Sequence, residues 1–175
     1  MAAKMEIEEL LNALGHHYGV PELSLDKNDV CQLVFNEGCE IFIEPDALKQ
    51  STHLYAVLGG IPNHRKEVFY EAIFEKNLFG KETGESCLHC DVLNNEVLLH
   101  QLFRHTVMDK VSFITLVETF VHRVIEQQLW MEGLFFEGGG NSDSQVYSDS
   151  PIQVDELGAF NDISISDTER NFLRV

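Results

Sequence analysis

Residues 68–103, "VFYEAIFEKNLFGKETGESCLHCDVLNNEVLLHQLF", contain the change of period on which the fold turns. Phe69 and Ile73 stand four apart and are followed by Phe74, Leu78 and Phe79, while Glu67, Glu71 and Glu75 keep the same spacing on another side. That is the pattern of a helix with one solvated acidic line. Gly80 is placed to close the helix, since a helix commonly ends on a glycine in the left-handed region. After the loop, "SCLHCDVL" and "EVLLHQLF" read as two strands, and Asn94-Asn95 between them tolerates the positive φ angles of a tight hairpin.

The helix carries more apolar surface than one sheet can cover. Its apolar arc spans well over half the circumference, whereas an ordinary surface helix shows a stripe only somewhat wider than ~100°. Either the helix is wedged deep inside its own domain, or the surplus meets a second copy of the chain across a symmetric contact. Leaving Phe74, Leu78 and Phe79 in water would forgo several kcal/mol at ~25 cal/mol per Å². The expected dimer seam is therefore Phe69, Ile73, Phe74, Leu78 and Phe79.

Working outward, residues 4–18 read as an amphipathic helix with Ile7, Leu10, Leu11, Leu14 and Tyr18 on one face, stopped by Gly19 and Pro21. "VCQLVFNEGCEIFIE" (Val30–Glu44) gives two strands about an Asn36-Glu37-Gly38 turn, and "HLYAVLGG" (53–60) gives a third. The central helix is expected over His64–Phe79. Asp109 is a candidate N-cap for a long last helix reaching about Phe135, with Val111, Ile114, Val117, Val121 and Val124 on its stripe. The order α-β-β-β-α-β-β-α predicts an α+β fold: a twisted antiparallel sheet of about five strands with three helices.

Both faces of that sheet carry apolar residues. Ile41 and Ile43 oppose Phe42, and Leu33 and Phe35 oppose Val34. An antiparallel sheet normally keeps one polar, wet face. Helices must then cover both faces, or cover one and leave the other to a partner such as an extended peptide, which a sheet edge can also accept by strand addition.

With 175 residues the chain suits one domain. Its 29 Asp and Glu against 12 Lys and Arg give a net charge of −17, a field that repels nucleic acid and anionic membranes and suits a partner with basic segments. Composition shifts at Glu137 to Gly, Ser and Asp without sustained periodicity, so residues 1–136 are expected to fold and 137–175 to form a flexible acidic tail. The tail accounts for about −6, leaving the domain near −11. Its piece "PIQVDELGAF" (151–160) reads either as a docking segment or as plain disorder. No signal-peptide pattern or membrane-length apolar run is present, so a cytoplasmic setting with reduced cysteines is expected.

Candidate chemistry is thin. "CLHC" (Cys87–Cys90) could begin a zinc or redox site, but Cys31 and Cys39 are not the close-spaced second pair that zinc wants. A redox pair belongs at a strand-to-helix junction, whereas a mid-strand position turns Cys87 and Cys90 to opposite faces. His16-His17, His100 and His122 fall in no metal or nucleophile motif, and Gly59-Gly60 lacks the spacing and Lys of a phosphate loop. No catalytic residue, metal or cofactor is expected.

The run 68–103, together with "CQLVFNEGCEIFIE" and the closing helix, resembles the class I type III secretion chaperones, the Tir-chaperone (CesT/SycE-like) family, over roughly residues 5–136. The likeness lies in a second helix ending in an Asn-Leu pair, a Gly-containing loop, and two strands joined by an Asn-rich turn. It implies a homodimer of the bacterial cytoplasm, without enzymatic activity or nucleotide use, that holds the N-terminal chaperone-binding segment of a secreted effector in extended form. It also admits the secretion-apparatus ATPase as a partner, with no nucleic acid and no membrane insertion. Carried onto this chain, the second helix is the dimer seam, and Ile7, Leu11, Val34, Phe42 and Tyr55 are the effector-contacting residues. Two competitors remain: an acidic adaptor that grips a basic partner through its tail, and a thiol or metal enzyme using Cys87, His89 and Cys90.

Overall fold

The computed structural model describes residues 2–20, 22–35 and 38–136. Asn36 and Glu37 of the expected turn, and the whole expected tail, lie outside the described residues. The elements are α1 (Ala2–Tyr18), β1 (Cys31–Val34), β2 (Glu40–Asp46), β3 (Ser51–Gly60), α2 (Lys66–Asn77), β4 (Cys87–Asp91), β5 (Glu96–Phe103) and α3 (Lys110–Phe136). One 3-10 turn, Leu78–Gly80, continues α2, and another, His105–Val107, precedes α3. All strands pair antiparallel in the order β1-β2-β3-β5-β4. Three helices and five strands occur in the expected order.

The register separates two faces. Ile43 pairs with Leu54, Leu54 with Gln101, Ala56 with Leu99, and Leu99 with Leu88, so these residues share one face. They join Ile7, Leu11 and Leu14 of α1, Phe69 and Ile73 of α2, and Phe113, Val117 and Phe120 of α3 in one buried core. All three helices therefore feed the same side of the sheet.

Local chemistry fixes the ends. Helix α1 closes with Val20 N–H donating to the Gly15 carbonyl at 2.7 Å and Gly19 N–H to that of His16 at 3.4 Å, the paired arrangement that a left-handed residue after a helix allows. Gly19 supplies the positive φ of 76°. The β2–β3 and β4–β5 hairpins share one device, in which Asp46 accepts the amides of Leu48 and Lys49, and Asp91 those of Leu93 and Asn94. At α3 the Asp109 carboxylate accepts the Ser112 amide at 2.9 Å, which with the Ser112 hydroxyl holds it below the usual carboxylate range.

Helix α2 is shorter than its apolar pattern predicts, beginning at Lys66 and yielding to the 3-10 turn at Leu78. Phe79 turns into the left-handed region at φ 58° and so breaks the α-helical path before Gly80. Asn77, the last residue of α2, ties the helix to the sheet. Its side-chain oxygen accepts Leu88 N–H at 2.8 Å and its amide donates to the Leu88 carbonyl at 2.9 Å. Strand β4 lies at the sheet edge, so this side chain stands in for one residue of a neighbouring strand.

Candidate partner-binding surfaces

The α2 surface divides as its sequence suggests. Phe69 and Ile73 are buried, and Phe69 stacks on Trp130 of α3 at 6.4 Å between ring centroids. Phe74, Leu78 and Phe79 point outward with 73%, 57% and 97% of their surface accessible, and Val68 joins them as half-exposed. The expected seam thus places two residues in the core and three in solvent. Phe79 combines near-complete exposure with a backbone conformation that bulky side chains rarely adopt. Such strain persists where the surroundings over-determine it, and it clusters at functional surfaces. Glu67, Glu71 and Glu75 are exposed.

The second surface is the sheet face away from the helices. The register aligns Gln32, Phe42, Tyr55, His100 and Cys87 across the five strands, with Val34, Glu40, Val57, Leu98 and His89 on one side and Glu44, His53 and Leu102 on the other. Phe42 and Tyr55 stack at 5.1 Å with planes 15° apart, which leaves Phe42 only 3% accessible. The Tyr55 hydroxyl donates to Glu44 at 3.3 Å, and burial first, then the Glu44 charge, pushes the phenol pKa up. Gln32 donates to Glu40.

Three histidines meet beside these aromatics. His53 Nδ1 and His100 Nε2 share a hydrogen bond at 2.9 Å, one ring donating and the other accepting. The His89 ring stands edge-on to His100 at 5.3 Å. Burial, followed by the charges that His89 and His53 would carry, pulls His100 down to about 4, and burial also lowers His89. Both rings are therefore neutral at physiological pH. Tyr55, His89, Leu98 and His100 line an open pocket of about 190 Å³.

The effector-contacting residues expected from sequence do not all reach this surface. Val34 and Tyr55 lie on it half-buried, and Phe42 lies on it beneath its neighbours. Ile7 and Leu11 are wholly enclosed, 0% accessible, because α1 turns its apolar stripe into the core. A partner reaches them only if α1 lifts from the sheet. Conversely, the convergence of His53, His89 and His100 is not visible in the sequence. The β4–β5 part of it is implicit in the hairpin once its register is known, since His89 is diagonal to His100. His53 arrives through the non-local β3–β5 pairing.

The thiols separate as well. Cys31 and Cys39 are buried, and burial pushes both up to about 12, helped at Cys31 by Asp26. Cys87 is exposed on the outer face while Cys90 turns toward the core. Among the described residues no three His, Cys, Asp or Glu side chains are arranged to hold a metal ion, and no helix is long and apolar enough to cross a membrane. His16 is exposed, and His17 pairs with Glu118 at 3.1 Å.

Among the described residues the fold is a one-sided α+β sandwich, with an aromatic sheet face that no helix covers and an exposed apolar edge on α2. A profile of the Tir chaperone protein (CesT) family matches residues 9–127, and the chain belongs to that family. Solved structures agree in fold. The chain matches the ExsC-ExsE complex at 18% identity and a TM-score of 0.58, covering 75% of this chain and 94% of that one. The HopA1-SchA chaperone-effector complex matches at 12% identity and 0.58, covering 76% and 95%. The ExoT-SpcS complex from Pseudomonas aeruginosa matches at 16% and 0.53, covering 69% and 96%. No curated protein matches the sequence. The matched chains are covered almost whole, so the surplus length belongs to this chain.

Proposed function

We propose that the chain is a type III secretion chaperone that binds the N-terminal chaperone-binding segment of an effector in extended form and keeps it soluble and competent for export. The observation that carries this reading is the sheet face that no described helix covers, apolar and aromatic at its centre, in a member of the Tir chaperone family. A peptide lying along such a face gains apolar burial, and strand addition at an edge supplies backbone hydrogen bonds. The same reading makes the protein a non-catalytic homodimer of the bacterial cytoplasm, with the secretion-apparatus ATPase as a further partner, residues 1–136 forming the chaperone domain and 137–175 an acidic tail.

Phe74, Leu78 and Phe79 form the proposed dimer contact, supported from beneath by Phe69 and Ile73. Full burial of each apolar side chain is worth about 1.5–3 kcal/mol. Replacing Phe74 with Asp puts a carboxylate into that contact, so light scattering should report a monomer for Phe74→Asp. An unchanged dimer mass would remove the assignment. The chaperone reading itself is tested by copurification from the native cytoplasm. A recovered effector bound through its N-terminal segment supports it, and apoprotein alone under secretion-inducing conditions counts against it.

A further inference from the structure

The outer sheet face carries a charge pattern with consequences for what it accepts. Among the described residues, no strand contains a Lys or Arg. The face is framed instead by carboxylates: Glu40, Glu44 and Asp46 on β2, and Asp91 with Glu96 where β4 and β5 meet their hairpin. Asp46 is paired with Lys49 at 3.0 Å. Glu44 and Asp91 take hydrogen bonds from neutral donors, the Tyr55 hydroxyl and the Leu93 and Asn94 amides. Between the two groups lie Tyr55, Leu98 and the imidazoles of His89 and His100 around the pocket, with His53 hydrogen-bonded to His100 behind them.

We propose that this face takes an extended partner segment whose apolar side chain seats in the Tyr55–His89–Leu98–His100 pocket while Lys or Arg on either side meets the framing carboxylates. The proposal rests on the chaperone reading and specifies the chemistry of the segment. About 190 Å³ suits one aliphatic or ring-sized side chain, since an apolar cavity of ~150 Å³ holds benzene. The ring faces of His89 and His100 complete a wall with Tyr55 and Leu98 against which an apolar side chain packs. The carboxylates attract basic flanks and repel acidic ones, so charge selects the segment and its direction of approach. Salt weakens that selection at exposed positions.

Cys87 supplies the reporter. It opposes His100 in the β4–β5 register and is exposed, while Cys31 and Cys39 are buried and Cys90 is half-buried. The full-length chain would be titrated with two synthetic peptides of ~15 residues, a length that spans the sheet. Both alternate Leu and Ser; one carries Lys at its flanks and the other Glu. Anisotropy should show the Lys peptide binding about tenfold or more tighter, a difference of about 1.4 kcal/mol. The Lys peptide should also slow alkylation of Cys87 by iodoacetamide severalfold. Leu98→Glu should abolish both effects, and the isosteric Glu44→Gln, which leaves the pocket intact, should weaken binding a fewfold. Equal affinity for the two peptides overturns the charge assignment, and binding without protection of Cys87 overturns the place. A Cys87 that is unreactive in the free chain shows the face already covered by a second copy or by the chain's own tail, which also overturns it. If an effector copurifies while the Lys peptide leaves Cys87 unprotected, the chaperone reading stands and this assignment falls.

Discussion

His100 has an imidazole neighbour on each flanking strand, His53 from β3 and His89 from β4, with Tyr55 and Cys87 level with it across the sheet. The hydrogen bond it shares with His53 needs one ring to accept, so protonating both rings breaks it. An unfolded histidine titrates near 6.5, and folding lowers His100 to about 4. The folded state thus favours the neutral ring. That stability is fully present above 6.5 and is lost as the pH falls from 6.5 toward 4. His89 shifts in the same direction. A pKa unit corresponds to about 1.4 kcal/mol, but His100 is only half-buried and solvent screens it, so on the order of 1–2 kcal/mol is at stake. Urea unfolding of His100→Gln should therefore show a shallower fall in stability across that window than the parent chain. Parallel curves would mean that the ring is solvated in the native state.

At the scale of elements, Asn77 explains why the second helix ends where it does. Its side chain fills one hydrogen-bonding position at the open edge of β4, an edge that natural sheets often guard with Lys. Asn77→Ala leaves Leu88 N–H and C=O without that partner, half-buried, and should cost about 1–3 kcal/mol. The measurable results are a lower urea midpoint and faster aggregation on warming; unchanged stability would mean that water replaces the amide. Phe79 offers the opposite test. Its φ of 58° carries a penalty of about 1 kcal/mol for a side chain that glycine avoids. In the Phe74→Asp background, Phe79→Gly should stabilise the domain by roughly that amount, whereas in the parent chain it should weaken self-association.

The same elements show what sequence made legible. Period changes, hairpin turns and the Asp109 cap are local, and they led to the correct element order. The two-faced apolar pattern of Leu33, Val34, Ile41, Phe42 and Ile43 translated directly into a core face and an open face. Ile7 and Leu11 were less transparent, because an amphipathic stripe shows that a helix buries one side without showing what it buries it against. The histidine cluster depends on β3–β5 pairing between residues nearly fifty apart, which no local period encodes.

Over the whole molecule, sheet, helices and length divide the work. All three helices are committed to one side of the sheet, so the proposed partner contacts fall to the other side and to the outward edge of α2. The profile match ends at residue 127, and the residues proposed for both contacts all precede residue 104. Removing 138–175 should then leave effector binding within about twofold, while an adaptor working through its acidic tail would lose its partner altogether. Pull-down of the same effector by the full and shortened chains decides between them.

The absence of Lys and Arg from the described strands has one more consequence. Amine-reactive cross-linkers and lysine-acylating enzymes find no foothold on the sheet itself, and trypsin finds no cleavage site within any of these strands. A cross-linking map built on lysines would outline the helices and turns and leave the outer sheet face blank. The proposed occupant of that face is to be caught through its own amines, coupled to the carboxylates of Glu40, Glu44, Asp91 and Glu96.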